Sequence, residues 1–159
     1  MNEYESVRRR EIHTPQKTYE LQDVAIPKMA ETRSILLLED DNQLANLLKD
    51  GLENQGYMVT VVGNGAEGLK KIMIADFSVI VCDMVMPNFP GDMFYLAVER
   101  IRPHLCKRFI FITGHRGDRK IEQFIRSIRG LMLWKPFDMH VLLDAINVVI
   151  NKSRDESAT

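Results

Sequence analysis

The chain reads as an α/β protein, a doubly wound parallel sheet of five strands with helices on both faces. Short aliphatic runs alternate five times with stretches of helical periodicity. The first of them, Ile35 to Leu38, is continuously aliphatic, as expected of a strand covered on both faces, where a half-exposed strand would alternate apolar with polar. At 159 residues and 45% hydrophobic composition, the chain is sized for one compact domain with a real core and not for an enzyme with a separate substrate lobe.

Up to about Arg33 the sequence is polar and mixed in charge, with Pro15 and Pro27 and no sustained periodicity. Residues 1–33 are therefore expected to form a flexible N-terminal extension, and the basic run Arg8, Arg9, Arg10 is balanced by acidic residues around it. The domain is placed at 34–152, with a polar tail at 153–159. Its first unit is the run Ile35 to Leu38, followed by Leu44, Leu47, Leu48, Gly51 and Leu52 at helical spacing. The second is Tyr57 to Val62, then Ala66, Leu69, Ile72 and Met73. The third is Val79 to Cys82, then Phe94, Ala97, Val98 and Ile101. Phe109 to Ile112 leads into Ile121, Phe124, Ile125 and Ile128, and Leu131 to Trp134 leads into Val141, Leu142, Ala145, Ile146 and Val149. Helical Met and Phe positions are read as core, and Trp134, the only tryptophan, as packing in the last strand.

A formal charge of -1 offers no global electrostatic footprint for nucleic acid or an anionic membrane. Two cysteines without ligand spacing suit a reducing compartment, and neither a signal peptide nor an apolar span is visible, so a cytoplasmic location is expected.

In open parallel sheets, ligands bind beyond the carboxyl ends of the strands. Here the first strand ends in Glu39, Asp40 and Asp41, the third in Asp83, the fourth in Thr113 and Gly114, and the fifth in Lys135 and Pro136. Carboxylates converging on one crevice repel one another, and a proton or a divalent cation must relieve them. Oxygen ligands alone favour a hard ion such as Mg²⁺. Thr113 adds a hydroxyl and Lys135 a mobile ammonium, so the set suits a phosphoryl group. Asp41, directly before a helical run, serves equally well as a helix cap and is left off the core site. His115 stands alone beside the site and is not read as catalytic.

The sequence Glu39-Asp40 after an Ile-Leu-Leu-Leu strand, Asp83-Met84-Val85-Met86-Pro87 with Gly91 beyond, Ile112-Thr113-Gly114-His115 and Lys135-Pro136-Phe137 together resemble the receiver domain of two-component response regulators, over about Ser34 to Lys152. The resemblance implies that Asp83 accepts a phosphoryl group from a sensor histidine kinase or phosphotransfer protein. It implies that Asp40 binds Mg²⁺ directly, Glu39 acts as the second acid, and the Val85 carbonyl completes the metal site. Thr113 and Lys135 would contact phosphoryl oxygens, and the Lys135-Pro136 bond would be cis. Gly114, Met132 and Pro136 would belong to the switch and partner face, with Met132 standing where the family usually has an aromatic residue. Such a protein catalyses only its own phosphotransfer and dephosphorylation. It is expected to act as a stand-alone, chemotaxis-regulator-like receiver, signalling to a downstream effector protein.

Two other readings compete. A phosphorylation-independent interaction module is suggested by Met132 and by a shortened approach to the last strand. A nucleotide-binding domain is suggested by Gly63-Asn64-Gly65-Ala66-Glu67-Gly68, a GxGxxG after a strand. In the order 2-1-3-4-5 of flavodoxin-like folds, however, that loop lies at the sheet edge, away from the crevice between the first and third strands.

Overall fold

The computed structural model describes residues 33–157, so the expected extension at 1–33 lies, but for Arg33, outside the described residues. Five strands, β1 (Ser34–Leu38), β2 (Met58–Val62), β3 (Val79–Asp83), β4 (Phe109–Thr113) and β5 (Leu131–Trp134), form one parallel sheet in the order β2-β1-β3-β4-β5. Between and after them lie α1 (Asn42–Glu53), α2 (Gly65–Ile74), α3 (Gly91–Ile101), α4 (Arg119–Ser127) and α5 (Met139–Ser157), with a 3-10 turn at Pro103–Arg108 ahead of β4. This is the five-stranded flavodoxin-like arrangement that the alternation predicts. Among the described residues no helix is long and apolar enough to cross a membrane.

The continuous apolar runs of β1, β3 and β4 follow from burial on two sides. Successive strand residues point to opposite faces. Leu36, Leu38, Ile80, Cys82 and Phe111 therefore join Ile72 of α2, Phe94 and Val98 of α3 and Ile125 of α4 in one core. Ile35, Leu37, Val79, Val81, Ile110 and Ile112 join Leu48 and Leu52 of α1 and Leu142, Ile146 and Val149 of α5 in the other. Aromatic contacts among Phe94, Tyr95, Phe109, Phe111 and Phe124 weld α3 and α4 to β4.

Not every apolar residue at helical spacing faces inward. Leu48 is 3% exposed but Leu47 is 67% exposed, because one residue along the helix turns the side chain by about 100° away from the buried stripe. Met73 and Ile101 are likewise exposed, so the expectation that helical methionines are core fails at Met73 and at Met93. Strand ends also run further than the apolar composition suggests. Asp83 and Thr113 are the last residues of β3 and β4, kept in the ladder by pairing with Ile112 and Trp134.

Local chemistry sets the helix starts that aim at the sheet's carboxyl edge. Asp41 caps α1, its Oδ1 accepting from the amides of Gln43 at 2.9 Å and Leu44 at 3.2 Å. Asn64 caps α2 by accepting from the Glu67 amide, while Glu67 reaches back to the Gly63 amide, a variant of the capping box. The glycines of this loop have a packing explanation. A Cβ on Gly65 would collide with the Phe89 ring, and one on Gly68 would lie 2.8 Å from Leu38 Cδ2 and 2.9 Å from Phe94 Cε2. The loop follows β2, an edge strand, as expected.

Candidate functional site

Polar groups gather where β1, β3, β4 and β5 end. Glu39, Asp83 and Thr113 are the buried polar residues among the core, and Asp40 beside Glu39 is exposed. Lys135, directly after β5, spans the crevice. Its Nζ donates to Glu39 Oε2 at 2.7 Å and to Asp83 Oδ2 at 2.6 Å. The second oxygens of both carboxylates accept backbone amides, Glu39 Oε1 from Asp41 at 3.1 Å and Asp83 Oδ1 from Val85 at 2.9 Å. Each acid is thus held by one cation and one peptide dipole, which satisfies groups whose burial would otherwise be costly.

The electrostatics follow from crowding. Burial pushes the Glu39 carboxyl above its ordinary value, with the neighbouring Asp83 charge acting the same way, and the bonds from Lys135 and the Asp41 amide only partly oppose it. For Lys135 burial is the largest single influence and favours the neutral amine. The combined attraction of Asp83 and Glu39 overcomes it, so the ammonium holds its proton above the usual lysine range. One cation faces three acids, because Glu39, Asp40 and Asp83 each offer a carboxylate oxygen within 4.8 Å of the others. The set therefore keeps an excess of negative charge and only hard oxygen donors, which fits a divalent cation such as Mg²⁺.

Thr113 is fully buried, and its Oγ1 accepts the His115 amide at 3.2 Å. Its carbonyl accepts the Lys135 amide at 2.8 Å, tying the end of β4 to the start of the Lys135 segment. Gly114 is exposed with Lys135 Cβ as the nearest atom to an added Cβ, at 3.9 Å. The Lys135-Pro136 bond is cis, and Pro136 is exposed. Met132 is half-buried against the α2–α4 side of the core. Asp41 lies beside the cluster as a cap and lends its backbone amide.

Two contributors were not legible as chemistry in the sequence. The Val85 amide grips Asp83 through the backbone, which no side-chain pattern reveals. Gly91 is sterically required, since a Cβ there would lie 2.6 Å from the Asp83 carbonyl oxygen and 3.0 Å from Met84 Cα. The proline and glycine around this loop were the available signal, because a backbone that closes on itself needs a residue without a side chain.

The family model described as the response regulator receiver domain matches residues 35–147. The response regulator receiver protein CpdR of Brucella abortus is 31% identical over 118 residues, covering 74% of this chain and 97% of CpdR. The transcriptional regulatory protein PcoR of Escherichia coli is 24% identical over 79% of this chain, which spans 54% of PcoR. Among solved structures, a CheY-like receiver domain protein from Methanospirillum hungatei superposes with a TM-score of 0.72 at 25% identity, covering 78% of this chain and 98% of that one. The chemotaxis response regulator CheY4 of Vibrio cholerae gives 0.67 at 26% identity, over 74% and 98% of the two chains. With the five-stranded order and the match over most of the described residues, this chain belongs to the response regulator receiver domain family.

Proposed function

We propose that the chain is a phosphorylation switch, in which Asp83 accepts a phosphoryl group from a phosphohistidine on a sensor kinase or phosphotransfer protein. A carboxylate oxygen of Asp83 attacks phosphorus, the phosphorus–nitrogen bond breaks, and its electron pair leaves with the imidazole, giving an acyl phosphate. The observation that carries this reading is the Lys135 ammonium held between the carboxylates of Asp83 and Glu39 in a crevice at the sheet's carboxyl edge. Phosphoryl transfer asks mainly for positioning and charge stabilisation, and these groups offer both.

The Val85 amide orients the Asp83 carboxylate. Lys135, kept charged by its acidic neighbours, meets the oxygens of the incoming phosphoryl group. The residues that would hold Mg²⁺ are Glu39, Asp40, Asp83 and the Val85 carbonyl, and the bound ion would supply further positive charge opposite the transferring oxygens. Thr113 donates its hydroxyl to the phosphoryl group, which draws the loop beginning at Gly114 toward the site. The change reaches the face carrying Met132 and Pro136, where a downstream protein reads it. Hydrolysis of the acyl phosphate resets the switch.

Intact-mass spectrometry after incubation with a small acyl phosphate donor and Mg²⁺ tests this reading. A single hydroxylamine-labile phosphoryl adduct is expected, absent from Asp83→Asn and from the metal-free control. Folded protein that acquires no adduct would instead support the phosphorylation-independent interaction module.

A further inference from the structure

We propose that Phe89, seated on the glycine face at the start of α2, is a positioning residue for the phosphoryl site. It holds the connection between β3 and α3 so that the Val85 backbone is presented to Asp83 and to a divalent cation. Gly63-Asn64-Gly65-Ala66-Glu67-Gly68 is the motif of the sequence that the switch itself leaves without a role. The structure gives it an occupant. A Cβ built on Gly65 would fall 2.6 Å from Phe89 Cε1 and 2.9 Å from Phe89 Cγ, so the ring rests directly on the helix backbone. The close approach that such glycines offer a pyrophosphate is taken here by a phenyl ring.

The platform under that ring is itself fixed. Asn64 accepts the Glu67 amide at 3.0 Å and Glu67 accepts the Gly63 amide at 3.3 Å, which sets where α2 begins. Gly68 lies one turn on from Gly65 and on the same face. It is covered by Phe94 of α3 and by Leu38, the residue before Glu39. The two glycines thus receive two rings from the chain that follows Asp83. Phe89 comes from the loop and Phe94 from the first turn of α3, where its amide bonds the Pro90 carbonyl at 3.0 Å.

The loop needs such an anchor. At its base the Gly91 amide bonds the Met84 carbonyl at 3.1 Å. At its tip Asn88 reverses the chain with a left-handed φ of 65°, and the Phe89 amide turns back to the Pro87 carbonyl at 2.7 Å. Met84 and Met86 are buried in the core, whereas Val85, Pro87 and Asn88 are exposed. Phe89 is the next side chain to pack against that core after the exposed tip. Val85 lies between the two methionines with its own side chain in solvent, yet its amide meets Asp83 Oδ1 at 2.9 Å. The place of that peptide is therefore set by what grips the loop on either side, the methionines before the tip and Phe89 beyond it. Groups that orient a ligand from behind tune a metal site as the ligands themselves do.

The proposal rests on the switch reading only in taking the Val85 carbonyl as a ligand of the cation. The amide contact to Asp83 is independent of that reading.

The test uses the full chain, isotope-labelled for amide resonances and free of phosphoryl donor. Hydrogen exchange of the Val85 amide is one readout, and a Mg²⁺ titration followed through the amides of residues 39–41 and 83–85 is the other. Phe89→Ala is expected to speed exchange at Val85 about tenfold or more and to weaken Mg²⁺ binding about threefold to tenfold. Gly65→Ala, which puts a methyl group where the ring lies, is expected to act in the same direction, and it decides the matter if Phe89→Ala fails to fold. The joint change is expected to have less effect than the two single changes added together, since the methyl group then enters space the ring has left. Leu48→Ala, a core change on the opposite face of the sheet, controls for loss of stability in general and should leave both readouts as in the parent chain. The proposal is overturned if the folded single variants exchange at Val85 as slowly as the parent, or bind Mg²⁺ as tightly as a parent that binds it. It is equally overturned if Leu48→Ala acts as strongly, or if the changes at Phe89 and Gly65 are additive. A parent chain that binds no Mg²⁺ counts against the cation and with it the switch reading, while exchange at Val85 still decides the role of Phe89.

Discussion

The ammonium of Lys135 and the carboxylate of Asp83 meet at 2.6 Å across 52 residues of sequence, and the same ammonium reaches Glu39 at 2.7 Å. Two strand ends and the segment after a third are thereby tied through one charge.

Removal of that charge should be felt in stability as well as in chemistry. Lys135→Met removes the one cation that, among the described residues, pairs with Glu39 and Asp83 beside Asp40. A loss of about 1.5–3 kcal/mol is expected in urea unfolding near neutral pH, the range for hydrogen bonds to charged groups. Added Mg²⁺ should recover part of it, because a ligand that binds only the folded state stabilises that state. An unchanged midpoint without metal would mean that the bridge contributes nothing to the fold.

Gly91 and Gly63 make a matched pair. Gly91→Ala forces a methyl group against the backbone of Asp83 and Met84, and should destabilise by about 1–3 kcal/mol while reducing phosphoryl uptake at Asp83. Gly63→Ala meets nothing within 4 Å and should change stability by no more than about 0.5 kcal/mol. Thermal unfolding of both variants, with adduct formation measured alongside, checks the contrast. Equal behaviour of the two would remove the steric role assigned to Gly91.

The alkaline limb of stability is expected to involve Tyr95 and Cys106. Burial, reinforced by the neighbouring Cys106, pushes the Tyr95 phenol up to about 12, and burial likewise raises the Cys106 thiol. An acid whose pKa is raised in the folded state keeps its proton there after the unfolded chain has lost it. The associated stability is therefore present below the unfolded value and declines as pH rises through the folded one. For Tyr95 the decline runs from about pH 10 to about 12. Tyr95→Phe should flatten that part of a stability profile measured by urea titration at successive pH values, and a slope identical to that of the parent chain would exclude Tyr95 as its source.

The register of α1 can be tested on two adjacent leucines. Leu48→Ala should cost about 2–5 kcal/mol, whereas Leu47→Ala should stay within about 0.5 kcal/mol. Comparable losses in chemical denaturation would contradict the orientation of this helix.

Much of this arrangement was legible in the sequence because it depends on local pattern. Alternation of aliphatic runs with helical spacing sufficed for five βα units, since a strand covered on both faces needs no polar positions. The placement of Glu39, Asp40, Asp83, Thr113 and Lys135 at one edge followed from the same alternation, because parallel strands all end on one side. Asp41 before a helical run was readable as a cap for a similarly local reason.

Tertiary structure alone decided what depends on distance between remote segments. Leu47 and Leu48 carry the same side chain and differ only in which way α1 is turned against the sheet. Gly65 and Gly91 are glycines because Phe89 and the Asp83 backbone come close to them in space, which spacing along the chain cannot show. The bridge from Lys135 to both acids, the amide of Val85 on Asp83 and the approach of the Arg116 guanidinium to the Trp134 ring arise only when separate loops are brought to one edge. Composition and periodicity specify which face of each element is apolar. The pairing of those faces determines which polar groups meet where the elements end.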